Sequence, residues 1–493
     1  MLALQTLTAL PQFADYIRIL PEIVLSIFGI VIMLLDPVMD ERSSQRTLGG
    51  IALVGAIAAM AATLFQAQPQ YWGLGFWKMV QVDAFSVFFH LVVTAVTILV
   101  ILSSYEYMEV QQIRAGEYYA LVLFGAVGMS LMSSAVELVL IFIALEISSI
   151  ATYILAGFRR KSATSSEASL KYFLLGSFAT AFFLYGVALM FGATGSTSIT
   201  VIAESLAPYG PNGHGAPMLA FIGIALMFVG LGFKVGSAPF HVWTPDVYEG
   251  APAPVVGFMS TAPKAAVFAV LLRILFETHA PGRVWLMWVA AALSMTIGNV
   301  AALVQENVKR LLAYSSIAHA GYLLVAFACL PANGIPAAMF YTASYAAMNV
   351  GAFAVVGHFA GAGESRVSVD DYSGLGKRSP LLAAVFTMFL LSLIGIPAFG
   401  GFFAKFYVFS AALQANLTGL VIIGVLNSAV AAYYYLRIIV VMYMREPREE
   451  VPVTPIPMGL GLALGLSLGA TIYLGILPNR VLEYASRSVG LLK

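Results

Sequence analysis

Charged residues are scarce in this sequence: Asp, Glu, Lys and Arg together make up 10% of its 493 residues. An average globular domain has about 25% charged residues. Hydrophobic residues reach 60%, and the mean hydropathy is +0.90. This composition excludes an ordinary water-soluble fold and predicts an integral membrane protein.

The sequence also lacks an excess of basic residues, and it has only one cysteine. The net charge of +1 offers no case for a clustered basic surface that binds phosphate backbones, so we expect no nucleic-acid partner. The single cysteine, Cys329, cannot supply an iron–sulfur cluster, a zinc tetrahedron or an internal disulfide. No flavin or NAD fingerprint is present either. We therefore expect no metal and no cofactor in this chain.

Long hydrophobic runs, in contrast, are frequent. A bilayer is crossed by about 20 apolar residues in a helix, and this template fits the chain fourteen times. The fold class predicted is an all-α polytopic membrane protein. The expected spans are 17–35, 48–66, 83–104, 117–134, 136–157, 170–192, 216–240, 254–276, 284–304, 308–330, 335–360, 381–415, 417–444 and 457–477.

Basic residues are distributed unevenly among the predicted loops. Loops after even-numbered spans hold two, Lys78 and Arg283. Loops after odd-numbered spans hold thirteen: Arg42, Arg46, Arg114, Arg159, Arg160, Lys161, Lys309, Arg310, Arg366, Lys377, Arg378, Arg445 and Arg448. Positively charged loops stay in the cytoplasm, so we expect both termini on the outer, periplasmic side.

The spans also show an internal repeat. Residues 117–276 and 277–444 each hold five predicted spans, and in each set the fourth span is broken by proline and glycine beside a lysine. Because five is odd, the second copy enters the membrane from the opposite side, as in many transporters. We expect a three-helix segment at 1–116, these two inverted repeats, and a C-terminal transmembrane helix within 445–493.

Five titratable side chains lie deep in predicted spans. A charge at the bilayer centre costs at least about 2.5 kcal/mol, so such residues usually have a function. Coupled groups of this kind can pass protons by changing partners. The candidates are Glu146, Lys234, Lys264, His319 and Lys405.

Other roles remain open for these residues. Lys234 and Lys405 could form structural salt bridges at the broken backbone, and His319 could simply hydrogen-bond across helices. Lys171 lies one helical turn after Glu167, so a surface ion pair competes with a role in the pathway. Arg273, close to a span end, is expected to be an interfacial anchor.

Several long segments carry a family resemblance that runs over essentially the whole chain. They are LPEIVLSIFGIVIMLLD, VDAFSVFF, GFKVGSAPFHVWTPDVYEGAPAPV, VKRLLAYSSIAHAGYLL and GIPAFGGFFAKFYVF. With these motifs in this order, the chain resembles the antiporter-like membrane subunits of respiratory complex I, the proton-translocating NADH-quinone oxidoreductase. One sister type has a glutamate at the position of Lys405, and another carries a lateral helix, so the resemblance favours the remaining type.

The resemblance implies a role for each matching residue. Glu146, Lys234, Lys264 and Lys405 match the ionisable residues of the fifth, seventh, eighth and twelfth helices. Lys171 matches a further lysine of the sixth helix, and His319 lies in the tenth-helix region that links the half-channels. In the implied mechanism, quinone reduction elsewhere disturbs a membrane-plane chain of charges. A proton then moves from Lys234 via Lys264 and His319 to Lys405.

The resemblance also implies partners. They are the sister M-type subunit, the small K-type and J-type subunits and the lipid bilayer, with FMN, iron–sulfur clusters and quinone in partner subunits of a bacterial inner membrane complex. The alternatives are a subunit of a multi-subunit cation/proton antiporter and a free-standing ion transporter. A solute carrier should show a polar pocket at the midplane, whereas this sequence shows a line of titratable groups. A structural spacer with unused charges is a third possibility.

Overall fold

The computed structural model describes residues 10–39, 41–113, 116–206, 217–278, 282–329, 333–447 and 455–489. The α-helices are α1 Phe13–Arg18, α2 Leu20–Leu35, α3 Glu41–Gln66, α4 Ala84–Val110, α5 Gly116–Ser134, α6 Leu138–Ala156, α7 Ala163–Thr194, α8 Ile199–Leu206, α9 Pro217–Val235, α10 Trp243–Gly250, α11 Ala253–Met259, α12 Ala262–Glu277, α13 Arg283–Leu303, α14 Val308–Ala328, α15 Gly334–Ala360, α16 Leu375–Arg378, α17 Pro380–Ile394, α18 Gly400–Gln414, α19 Thr418–Met444, α20 Met458–Ile476 and α21 Pro478–Val489. Short 3₁₀ helices are Asp36–Val38, Pro69–Tyr71, Ala362–Glu364 and Val369–Tyr372. Strands β1 Gly73–Gly75 and β2 Val80–Val82 pair in antiparallel fashion.

The all-α membrane class is confirmed. Within the described residues, twelve helices are long and apolar enough to cross a bilayer. The two other predicted spans correspond to α5 and to the broken pair α17 and α18. Each predicted hydrophobic run is therefore mainly helical, in one piece or two, because a chain in lipid must satisfy its backbone polar groups within the segment. Of the basic loop residues, Arg114 and Arg448 lie outside the described residues.

The break in the seventh span is a capped helix end. Helix α9 stops one residue after Lys234, and Gly236 follows with a φ of 69°. The Ser237 N–H donates to the Gly232 carbonyl at 2.9 Å, and the Gly236 N–H donates to the Phe233 carbonyl at 2.9 Å. This pair of bonds is a Schellman motif, in which glycine takes the left-handed position without a steric cost.

The twelfth span is broken in the same way. Helix α17 ends at Ile394, and Gly395 has a φ of 95°. The Ile396 N–H donates to Leu391 O at 3.0 Å, and the Gly395 N–H donates to Ser392 O at 3.0 Å. Both inverted repeats thus contain a discontinuous helix with a glycine-capped end, as predicted.

The eighth span is also interrupted, which the sequence analysis did not predict. Helix α11 ends at Met259, and α12 begins at Ala262 with Pro263 in its first turn. The interruption lies two residues before Lys264, so this lysine occupies the first turn of a new helix.

The most buried helices form the centre of the bundle. The membrane-spanning windows of Ala253–Phe276, Val308–Ala328 and Gly334–Ala360 are 100%, 94% and 94% buried. The corresponding windows of α7 and α19 are 39% buried and expose many large apolar side chains. The centre therefore consists of α11, α12, α14 and α15, and the outer helices present apolar surface to lipid or neighbouring subunits.

The segment after the last span holds more than the predicted transmembrane helix. Helix α21 follows α20 and is amphipathic, with Ala485 and Ser488 fully buried and Arg480, Glu483 and Arg487 exposed. The Tyr484 hydroxyl donates to the Ala84 carbonyl at 3.2 Å. Helix α21 therefore packs across the first turn of α4.

Candidate functional site: a buried line of lysines, tyrosines and a histidine

Lys234 lies in the last turn of α9 and is 3% exposed. Its Nζ donates to Ser149 Oγ at 3.0 Å and to Thr152 Oγ1 at 3.3 Å. The same nitrogen lies 5.1 Å from the ring centroids of both Tyr153 and Tyr172. Neutral hydroxyls and two aromatic faces thus accommodate this buried amine.

Glu146 lies on α6, three residues before Ser149, and is half-buried. Its Oε1 is buried and has no hydrogen-bond partner among the described residues. No ion pair of 4.0 Å or less joins it to Lys234 in the part of the chain that the structure describes. The carboxylate therefore lies one helical turn before Ser149, a partner of Lys234, and among the described residues it makes no ion pair with that lysine.

Lys264 is 2% exposed, and its Nζ donates to the Oγ of Ser316 at 2.6 Å and to the carbonyl of Ser316 at 3.2 Å. The Tyr345 hydroxyl donates to the same Ser316 Oγ at 2.8 Å. A Cβ built on Gly236 would lie 3.8 Å from the Lys264 Nζ. Gly236, in the break that follows Lys234, therefore lies beside the Lys264 amine.

His319 lies on α14 at the centre of the bundle and is 3% exposed. Its Nδ1 is 2.7 Å from the Tyr341 hydroxyl. Its ring centroid lies 5.1 Å from that of Tyr345 and 5.7 Å from that of Tyr322. Three phenol rings therefore surround the imidazole and connect it to both sides of the line.

Lys405 lies on α18 and is 6% exposed. Its Nζ donates to Ile394 O at 2.8 Å, to Leu393 O at 3.2 Å and to Ser428 Oγ at 2.8 Å. The two carbonyls belong to the end of α17, where a helix leaves its last carbonyls without intrahelical partners. The nitrogen also lies 4.8 Å from the Tyr322 ring centroid. Lys405 satisfies the broken backbone through hydrogen bonds, and the structural salt bridge considered as the alternative is absent among the described residues.

These contacts join Lys264, His319 and Lys405. Lys234 lies next to them across the break at Gly236, and Glu146 lies near the partners of Lys234. The line begins at Lys234, continues through the break to Lys264 and ends at Lys405. Its members in order are Lys234, Lys264, Ser316, Tyr345, His319, Tyr322 and Lys405. The arrangement can store protons on three amines and one imidazole that are shielded from water.

Lys171 is placed elsewhere, in an ionic cluster. Its side chain is 42% exposed and pairs with Glu167 and Asp246, each at 2.8 Å. Arg310 donates to Asp246 at 2.7 Å and to Glu249 at 2.8 Å. Burial would raise the pKa of the Asp246 carboxyl, but hydrogen bonds from Lys171 and Arg310 hold that pKa below its usual range. The surface pair considered for Lys171 is present, and its role in the pathway stays a prediction.

Sequence reasoning missed the tyrosines and the serine of the line. Ser316 and Tyr345 are each fully or almost fully buried, as are Tyr322 and Tyr341. A tyrosine inside a membrane helix commonly belongs to the interfacial belt, so its type alone did not mark it. The available signal was depth, because these tyrosines lie well inside their spans.

Arg273 corrects one expectation. It is 1% exposed and its side chain faces the protein interior, where an anchor would face the headgroups, and its Nη2 contacts both carboxylate oxygens of Asp83 at 3.0 Å. Its Nε donates to the Ser133 carbonyl at 3.3 Å. The guanidinium is drawn inward because a bidentate carboxylate and a carbonyl compensate its burial.

Comparison with known proteins agrees with this geometry. The model of the NADH:quinone oxidoreductase/Mrp antiporter transmembrane family matches residues 135–431. NADH-quinone oxidoreductase subunit N 2 of Koribacter versatilis is 64% identical, covering 97% of this chain and 98% of that protein. Subunit N 1 of Solibacter usitatus is 50% identical, covering 97% and 98%.

Solved structures show the same architecture. A chain of respiratory complex I from Thermus thermophilus has 38% identity and a TM-score of 0.79, covering 94% of this chain and 98% of that chain. A chain of the Mrp complex from Dietzia has 21% identity and a TM-score of 0.80, which shows the shared fold alone. The fold and the buried line define the class, an antiporter-like polytopic membrane subunit. Within that class, the chain belongs to the NADH-quinone oxidoreductase subunit N family.

Proposed function

We propose that this chain translocates protons as an antiporter-like subunit of NADH-quinone oxidoreductase, driven by quinone reduction elsewhere in the complex. The observation that carries the proposal is the contact line from Lys264 through Ser316, Tyr345 and His319 toward Lys405. A purely structural bundle has no need for several buried amines whose partners are neutral.

The neutral partners suggest how a charge could move. Each lysine of the line donates to hydroxyl or carbonyl oxygens, so a change in a nearby charge shifts its proton affinity readily. Glu146, with its unpartnered Oε1, is the group that would supply this change at Lys234. A proton released there passes to Lys264, then to His319 and on to Lys405. Lys171, paired with Asp246, would act where the line receives protons.

The assembly follows from the family. The expected neighbours are the sister M-type subunit, the small K-type and J-type subunits and the lipid bilayer. This subunit holds no cofactor in the proposal, and FMN, iron–sulfur clusters and quinone belong to partner subunits. The location is the bacterial inner membrane with both termini on the periplasmic side, which rests on the loop charges.

The domain division is proposed on the same basis. An N-terminal segment at 1–116 flanks the repeats 117–276 and 277–444, and residues 445–493 follow them. Two spans with matching glycine-capped ends, α9 and α17, support the correspondence of the repeats.

A cation/proton antiporter subunit is the second candidate, because the family model that matches residues 135–431 covers Mrp antiporters as well as NADH:quinone oxidoreductases. Purification through a tag on this chain in mild detergent, with mass spectrometry of companions and assays of flavin and iron, separates the two. Companions with flavin and iron–sulfur content support the oxidoreductase. Antiporter partners alone would overturn it.

The proton line itself is tested with Lys234→Gln and Lys405→Gln in the assembled complex. We expect proton pumping per NADH oxidised to fall by about tenfold or more, the scale of losing a proton-transfer group. The matched control is Lys377→Gln, whose side chain is 65% exposed and pairs with Glu446. Normal pumping by both variants would contradict the proposal.

A further inference from the structure

A second polar cluster lies beside the line in the second repeat. Asn299, on α13, is fully buried. Its Nδ2 donates to the Tyr322 hydroxyl at 3.1 Å and to the Met295 carbonyl at 2.8 Å. Its Oδ1 accepts from the Tyr434 hydroxyl at 3.0 Å. One amide therefore bridges two phenols on two other helices, α14 and α19.

The cluster connects the line to one end of the bundle. We call this end the basic face; it carries Arg159, Lys309 and Glu364, and the loop charges place it in the cytoplasm. Helix α19 runs from Thr418 to Met444 toward the basic face, and Tyr434 lies about 9 Å beyond Ser428, the partner of Lys405, at 1.5 Å per residue.

Further polar groups continue from Tyr434 toward the basic face. The rings of Tyr434 and Tyr435 are 4.4 Å apart, and the Tyr435 hydroxyl makes a hydrogen bond with Ser315. One helical turn further, Arg437 donates to the Gln305 carbonyl at 3.3 Å. Hydroxyls and a guanidinium thus approach the far side of Asn299 from the basic face.

Tyr322, Asn299 and Tyr434 form a hydrogen-bonded chain of three side chains. The Asn299 amide is the one member of this chain that cannot relay a proton. A hydroxyl donates and accepts through the same oxygen, so it can pass a proton along. An amide donates through nitrogen and accepts through oxygen, and it does not titrate in the working range. A proton that reaches Tyr434 therefore stops at Asn299.

A stop at this position has a purpose in a pump. The membrane potential favours the return of each pumped proton to the cytoplasm by about 2.3 kcal/mol per 100 mV. Tyr322 contacts both His319 and Lys405, so an open connection behind it would let protons drain from the line to the basic face. We propose that Asn299 is a positioning residue that holds Tyr322 over Lys405 and closes the proton line toward the basic face.

The test uses the purified complex in liposomes and measures passive proton influx without NADH under an imposed potential. Asn299→Asp puts a titratable group of the same size between the phenols. We expect influx to rise by about tenfold, since a positioned acid–base group changes proton-transfer rates by that order or more. In the double variant Asn299→Asp with Tyr434→Phe, the hydroxyl that feeds the new carboxylate is gone. The influx should then return to the native value.

Asn427→Asp is the matched control. Asn427 is 8% exposed, and its Oδ1 lies 3.4 Å from the Asn299 Nδ2, but it is not between the two phenols. We expect passive proton influx through this variant to equal that of the native complex. Three outcomes would each overturn the proposal. They are native influx in Asn299→Asp, raised influx that persists in the double variant without the Tyr434 hydroxyl, and an equal rise in Asn427→Asp.

The inference rests on the proposed proton line, yet the two fail separately. Passive influx is measured without turnover, whereas the lysine variants are tested by NADH-driven pumping. NADH-driven quinone reduction reports assembly of each variant. If Asn299→Asp does not assemble, Asn299→His places a titratable ring at the same position. The same rise in influx and the same dependence on Tyr434 are then expected.

Discussion

The buried cations of this chain fall into two chemical groups. Lys234, Lys264 and Lys405 donate to hydroxyl and carbonyl oxygens, and within the described residues none has a carboxylate within 4.0 Å. Arg273 and Lys309, equally buried, contact Asp83 and Glu364. A buried cation with a fixed counter-ion keeps its charge and is structural. A cation with neutral partners can release its proton at lower cost, which suits the first group to transport.

Tyr345 offers a test of the line at a single hydrogen bond. Tyr345→Phe removes the 2.8 Å bond to Ser316 Oγ and leaves the ring beside His319. A hydrogen bond contributes about 1 kcal/mol, so pumping per NADH should fall about fivefold. The measurement is acidification of the lumen of inverted vesicles during NADH oxidation. Tyr185→Phe, at a tyrosine that is 60% exposed, is the control and should pump normally.

The residues of the line could be predicted from the sequence only in part. Depth within a hydrophobic run identified the lysines, Glu146 and His319, because a charge there is expensive in any fold. The link from Lys264 to His319 could not be predicted, since it depends on Ser316 and Tyr345, which lie on different helices and meet only by packing. Arg273 was placed at the interface because its partner Asp83 is 190 residues away in sequence.

At the scale of the helices, the glycine-capped breaks position the lysines. Gly236→Ala would force a side chain into a left-handed conformation with φ of 69°, and the new Cβ would lie 2.8 Å from Thr244 Oγ1. Left-handed backbone costs about 1–2 kcal/mol for an ordinary residue. We expect fewer assembled complexes and a pumping loss larger than the loss of quinone reduction, because Lys234 and Lys264 both adjoin this turn.

The control for this variant is Gly465→Ala. Gly465 lies inside α20, and a Cβ there meets nothing within 4 Å. Alanine favours helix by about 1 kcal/mol relative to glycine, so this variant should assemble and pump at least as well as the native chain. Equal behaviour of the two variants would show that the turn at Gly236 does not position the lysines.

The elements were predicted more completely than the contacts. The breaks in the seventh and twelfth spans follow from proline and glycine beside a lysine, a local signal. The break before Lys264 also has a local signal, Pro263. It was not predicted because the surrounding run is apolar enough to fit a single continuous helix. Helix α21 was missed because its 12 residues are amphipathic, whereas the template used for membrane spans recognises about 20 mainly apolar residues.

For the whole molecule, one carboxylate fastens the two repeats and the N-terminal segment together at the basic face. Glu364 Oε2 accepts from Lys309 Nζ at 2.6 Å, and Arg159 Nη2 lies 3.3 Å from it. Glu364 Oε1 accepts from the Tyr107 hydroxyl at 2.8 Å and from the Ala253 N–H at 2.7 Å. These partners come from α4, the loop before α7, the start of α11 and the start of α14. The discontinuous region of the first repeat is thereby fixed against the second.

Glu364→Gln should loosen this junction. Removing one partner of a buried ion pair costs about 3–5 kcal/mol, because Lys309 is left without its counter-ion. We expect the solubilised complex to denature at a lower temperature. The measurement is the amount of this chain that remains in the soluble fraction as the complex is heated. Glu446→Gln removes an exposed pair with Lys377 and should cost under about 1 kcal/mol.

The same carboxylate predicts a pH dependence. Burial would raise the pKa of Glu364, but the Lys309 and Arg159 cations hold that pKa below its usual range. Because the pKa of Glu364 is lower in the folded state, the unfolded chain binds the proton first as the pH falls. Stability from Glu364 is therefore complete above the ordinary glutamate pKa of about 4.3 and is lost as the pH falls through the lower folded value. The native complex should lose thermal stability below about pH 4.3 more steeply than Glu364→Gln, in which no carboxyl titrates. Parallel curves for the two would show that the junction gains nothing from this charge.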